Sequence, residues 1–157
     1  ATAAVGVEAA ADTTTPCAYG LDRRGARRQA SAMRTVITTP DAPASPLYSQ
    51  AVRAGDHVYV SGLVGIDVST GTLAGSTIQE QTRQALANCD AVLKAAGATF
   101  EDVVEVGVLL TTPTDFEGMN EIYATRFPSA PPTRYVAKLG VELPGVLVSI
   151  RMTAFVG

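Results

Sequence analysis

STIQEQTRQALANCDAVLKAAG, residues 76–97, is the stretch from which the fold can be read. Ser76 or Thr77 is a good N-cap, and Glu80 stands where a capping box needs its carboxylate. Beyond the cap, Ile78, Ala85, Leu86, Cys89, Leu93 and Ala96 recur at the helical period, and Gly97 is the expected stop. Such a helix has one apolar face and needs a surface to cover.

The flanking segments supply that surface as strands. Downstream, Val103 to Thr111 is rich in β-branched residues, and Gly107 inside it predicts a bulge or close packing by a neighbouring backbone. Pro113, Thr114 and Asp115 cap a second helix carrying Phe116, Met119, Ile122 and Tyr123, which ends near Phe127. A strand around Arg134 follows, then a turn at Leu143-Pro144-Gly145 and a last strand from Val146 to Val156. Upstream, Arg34 to Thr38 is a short strand closed by the Pro40, Pro43 and Pro46 region. Leu47 to Arg53 and His57 to Ser61 form a hairpin through Ala54-Gly55-Asp56, and Ser69 to Thr72 with Gly75 make a second turn region. The order is β-ββ-α-β-α-ββ, an α+β fold with two helices over one mixed sheet. Val58, Val60, Val106 and Val108, with Leu147 and Ser149, are expected on the sheet face left bare, which favours association of subunits.

Composition bounds the function. The 157 residues are 46% hydrophobic and 17% charged, enough for one domain with a real core. A net charge of −3 argues against a general nucleic-acid or membrane surface. The longest apolar runs, such as Val146 to Ile150, are too short to cross a bilayer. Cys17 and Cys89 form no pairing motif, so a reduced, cytoplasmic setting is expected. One histidine, His57, and no CxxC motif leave no basis for a metal site and weaken any Ser-His-Asp or Cys-His mechanism. No cofactor is implied.

Residues 1–32 differ from the rest. Ala and Thr dominate up to Thr15, and Arg23, Arg24, Arg27 and Arg28 then cluster, in the wrong order for a secretory signal. An organelle transit peptide is an option, opposed by Glu8, Asp12 and Asp22; a leader ahead of a domain at 33–157 is the preferred reading.

Within Pro131-Pro132-Thr133-Arg134-Tyr135-Val136-Ala137-Lys138-Leu139, Arg134 stands on a mainly apolar strand. Two readings are open: an edge-strand arginine paired with a nearby acid, or a fork that holds a small carboxylate through two parallel hydrogen bonds.

Leu47-Tyr48-Ser49-Gln50-Ala51, Val60-Ser61-Gly62, Gln81 to Asn88, Met119-Asn120-Glu121-Ile122-Tyr123 and Pro131-Pro132-Thr133-Arg134 stand in the order seen in the YjgF/Rid family, and from Met33 to Gly157 the chain resembles it. The resemblance implies a chorismate-mutase-like protomer packed as a homotrimer, with clefts between subunits. The activity it implies is hydrolysis of small 2-imino or 2-enamino acids to 2-keto acids and ammonia. The alternatives are a pathway-specific enamine deaminase of aminomuconate type and a non-catalytic carboxylate-binding regulator. Carried over by position, Arg134 grips the substrate carboxylate, Tyr48 lines the cleft, and Ser61, Gly62, Asn120 and the backbone around Val136 surround the ligand. Ser61 and Asn120 have equally good structural readings, as a strand hydroxyl and a helix amide. Ser149 falls where active relatives carry a water-placing glutamate, and Pro46-Leu47 replaces the family's Gly-Pro before the tyrosine. A serine binds water but is a far poorer base.

Overall fold

The computed structural model describes residues 34–157; the expectations for the leader, its arginine cluster and Cys17 lie outside the described residues. The strands are β1 (Arg34–Ile37), β2 (Ala51–Ala54), β3 (His57–Val64), β4 (Ile66–Asp67), β5 (Thr72–Leu73), β6 (Val103–Leu110), β7 (Thr133–Lys138) and β8 (Val148–Phe155). The helices are α1 (Ile78–Ala95) and α2 (Phe116–Arg126). Six strands form one sheet in the order β1-β2-β3-β8-β6-β7, antiparallel except for the β6–β7 pair. A parallel pair needs a crossover, and α2 supplies it. The small β4–β5 hairpin closes around the turn region expected from Ser69 to Thr72.

Helix α1 begins as its sequence predicts. Thr77 is the N-cap: its hydroxyl accepts from the Glu80 amide, and the Glu80 carboxylate accepts from the Thr77 amide at 3.0 Å. Gly97, at φ +74, ends it in the left-handed region that favours glycine. Leu86, Val92 and Leu93 on its inner face are fully buried against the sheet. Each such side chain contributes roughly 1.5–3 kcal/mol of transfer free energy.

The polar residues of α1 that face inward tie down chain turns. Gln81, fully buried, donates to the Gly75 and Gly145 carbonyls at 3.0 and 2.8 Å and accepts from the Leu147 amide at 2.9 Å. Asn88 donates to the Val64 and Ile66 carbonyls, both at 2.9 Å, and fixes the bend between β3 and β4. Gln50 does the same near the other edge. Its amide meets the Thr39 amide and the Thr39, Ala42 and Pro43 carbonyls at 2.7 to 3.1 Å. Satisfying those backbone groups from one side chain curls the chain there, so β2 starts at Ala51 and not at Leu47.

Two expectations about the sheet need correction. Val58, Val60, Val106 and Val108 are 0–2% exposed and lie under the helices. The open face instead carries Tyr59, Tyr135 and Phe155, each 41–47% exposed, among polar groups such as Glu105 and Arg151. The bulge lies at Ser61-Gly62, where the β3–β8 register shifts between Val60 and Leu63. A smaller shift falls between Val103 and Glu105. Gly107 is in regular pairing with Tyr135, whose ring lies across it where any Cβ would stand; the close neighbour is a side chain and not a backbone.

Candidate functional site

Arg134 lies on the edge strand β7, paired with Val106, so its side chain leaves on the helix-covered face. Helix α2 meets it there. Arg134 donates from Nη1 to Asn120 Oδ1 at 2.7 Å, and its guanidinium carbon stands 4.6 Å from the Tyr123 ring centre and 5.9 Å from that of Phe116. Asn120 and Tyr123 are three apart on α2 and present neighbouring side chains. Arg134 is exposed, and among the described residues no carboxylate comes within ion-pair distance of it. The reading of an edge arginine paired with an acid therefore has no support within these residues. Its amide partner and aromatic neighbours orient the cation without neutralising it.

Two hollows lie along β7, and the arginine lines one of them. One of about 430 Å³ is walled by Arg134, Asn120, Tyr123, Phe127, Pro131 and Pro132. The other, about 390 Å³, is lined by Leu110, Pro113, Phe116, Val136, Ala137 and Lys138, and is mostly apolar. Val136 is thus next to the arginine but in the neighbouring hollow.

The remaining sequence-predicted residues stand elsewhere in the protomer. Ser149 on β8 pairs with Val64 and Leu109 and lies on the open face. It is 9% exposed, and no hydrogen bond among the described residues uses its hydroxyl. Gly62 faces it; a Cβ there would come to 2.9 Å from Ser149 Oγ, so the glycine is what leaves room. Ser61 donates its hydroxyl to the Ser49 carbonyl at 2.6 Å, which anchors the segment carrying Tyr48. Tyr48 itself is half exposed in the turn before β2. Strands β3, β8 and β6 separate β2 from β7, four steps that add to roughly 19 Å. One protomer therefore joins Arg134 to Asn120 and Gly62 to Ser149, and holds Tyr48 at the far side of the sheet.

Other reactive groups are accounted for structurally. Cys89 is fully buried, its thiol pushed up to about 12 by burial and then by Asp90, and it is no nucleophile at neutral pH. Among the described residues, no cluster of His, Cys, Asp and Glu is placed to hold a metal, and no helix is long and apolar enough to cross a membrane.

Residues 39–156 match the family described as endoribonuclease L-PSP. The mouse 2-iminobutanoate/2-iminopropanoate deaminase is 41% identical over 128 residues, spanning 81% of this chain and 95% of the relative. The chain belongs to the YjgF/Rid family. The crystal structure of RidA from the Antarctic bacterium Psychrobacter sp. superposes with a TM-score of 0.73 at 33% identity, over 78% of this chain and 99% of that one. E. coli TdcF with bound serine gives 0.72 at 29% identity, with the same coverage. The mixed sheet under two helices is the fold of this Rid family, as the resemblance implied. Tyr123 and Phe116 escaped the reading of the site because both fit the apolar period of α2. The signal that could have found Tyr123 is its three-residue spacing from Asn120.

Proposed function

We propose that this Rid-family chain hydrolyses short 2-imino acids, and the 2-enamino acids that tautomerise to them, to 2-keto acids and ammonia. The observation that carries this is the Arg134 guanidinium, oriented by Asn120 and Tyr123 yet free of any carboxylate among the described residues. Such a cation at the mouth of a hollow is suited to a ligand carboxylate. The mouse relative's stated substrates are imines of that class.

The chemistry needs little from the protein. Water adds to the electrophilic C2 of the protonated imine, a proton passes to nitrogen, and the C–N bond breaks as the C2 carbonyl forms, releasing ammonia. Arg134 would hold the carboxylate beside that carbon. Tyr48 and Ser149 are the groups proposed to place the water and pass the proton; Gly62, Ser61 and Val136 bound the space. Since Tyr48 stands four strands from Arg134, and Ser149 faces the open side of the sheet while Arg134 leaves on the helix-covered side, a site using all three needs a second copy of the chain, and the proposed assembly is a homotrimer. A stable monomer at micromolar concentration in sedimentation equilibrium would refute it.

Ser149 favours one other reading, that of a protein which binds a small carboxylate without turning it over. Coupling the chain to an enzyme that generates 2-aminoacrylate, and following ammonia and pyruvate, separates the two. Release faster than the uncatalysed rate supports the deaminase; no acceleration with retained pyruvate binding supports the binder.

A further inference from the structure

Tyr123 presents a conflict that a purely structural role does not resolve. Its residue is 7% exposed, and its hydroxyl is buried with no hydrogen-bond partner among the described residues. Leaving a buried donor unmet is costly, and a phenylalanine would fill the same space against Phe127, 4.8 Å away between ring centres, without that cost. The hydroxyl therefore has a partner to gain in a state other than that of the free protomer. Its surroundings indicate which state: the ring carries the Arg134 guanidinium on its face at 4.6 Å and forms part of the wall shared with Asn120, Phe127 and Pro132.

We infer that Tyr123 is a ligand-contacting residue, its ring seating the guanidinium and its hydroxyl donating to the carboxylate that Arg134 binds. This rests on the carboxylate reading of Arg134 given above. In the free chain the guanidinium is held by Asn120 and lies across the ring. A carboxylate that draws the guanidinium donors toward itself opens the phenol to the same anion. Burial raises the phenol above its ordinary pKa, and the Arg134 charge opposes this only in part, so the hydroxyl is protonated and able to donate at neutral pH. The anion then receives donors from two side chains on two elements, β7 and α2, which fixes its orientation as well as its affinity.

The test compares native protein with Tyr123→Phe, which keeps the ring and removes only the hydroxyl. Calorimetric titration with 2-oxobutanoate is run beside thermal unfolding of the free proteins. The expected result is a tenfold or greater loss of affinity, as for removal of a hydrogen bond to a charged group, with a melting temperature equal to or above the native one. Equal affinity overturns the proposal, and so does a lower melting temperature, which would mean that the hydroxyl is already satisfied in the free protein. Tyr123→Leu, which also removes the ring, is expected to bind more weakly still; affinity restored to native by Leu would equally overturn it. Native protein that binds neither 2-oxobutanoate nor pyruvate refutes the carboxylate reading of Arg134, and this inference with it. Native binding that Tyr123→Phe matches refutes this inference alone.

Discussion

Replacing Ser149 by glutamate supplies the carboxylate that the family resemblance implies at this position, and the surroundings allow its effect to be worked out. The serine hydroxyl lies beside Gly62, 2.9 Å from where a Cβ would stand, so a longer side chain has to extend past this glycine. The position is 9% exposed, so an unassisted carboxyl there would take a raised pKa and stay protonated at neutral pH. Arg151 is two residues along the same face of β8, and its contact with Glu105 is loose at 3.9 Å, which leaves it able to favour the ionised form. General-base assistance supplies about 10²–10⁴-fold, so Ser149→Glu is expected to raise kcat for 2-iminobutanoate by at least the lower figure. KM should change little, because Arg134 is untouched. Ser149→Gln, of nearly the same shape, is the control that lacks the base. The assay is ammonia release from imine generated in situ, across a pH series in which the glutamate variant gains rate as its carboxyl ionises. Equal rates for Ser149→Glu and Ser149→Gln, or a native rate that Ser149→Ala reproduces in full, would refute water placement at this position and move the search to Tyr48.

Three further outcomes follow from the same structure. Arg134→Ala should weaken 2-oxobutanoate binding more than tenfold in calorimetry, since a hydrogen bond to a charged group contributes about 1.5–3 kcal/mol, while Arg134→Lys should fail to restore it; native affinity in either variant contradicts the fork. The Glu80 carboxyl is held below its ordinary pKa, first by the Thr77 hydroxyl and then by the Thr77 amide. Its support of α1 is therefore complete above the ordinary glutamate value and lost as pH falls through the lowered one, so Glu80→Gln should flatten the acid limb of the unfolding curve. Cys89 should resist alkylation at neutral pH in the folded protein and react once unfolded, read by peptide mass spectrometry; rapid labelling of the native thiol would contradict its burial.

The elements set by local chemistry were legible before the structure was known. Thr77, Glu80 and Gly97 carry their own instructions, and so does Pro113 ahead of α2. Alternation separates the two faces of β3 and β6 but does not say which one the helices take, so the side on which the four valines lie is set by the packing and not by the local sequence. The turns tied by Gln50, Gln81 and Asn88 were hidden for another reason. A buried amide that collects carbonyls from distant turns leaves no periodic trace, since its partners are backbone groups up to 66 residues away.

The site was legible by type and not by place. Arg134 stands out in sequence because a permanent cation on an apolar strand needs an explanation, and Asn120 is found where that explanation requires it. Tyr123 is hidden by its double use, since one side chain packs against Phe127 and also lines the hollow beside Arg134. The separation of Tyr48 from Arg134 is a consequence of strand order, with β8 inserted between β3 and β6, and no local pattern in the sequence encodes it. A strand that arrives last in the chain yet lies in the middle of the sheet drives apart the earlier strands on its two sides. The function proposed here therefore depends on a second copy bringing one sheet's β2 side to another's β7 edge, so oligomeric state and activity should be lost together.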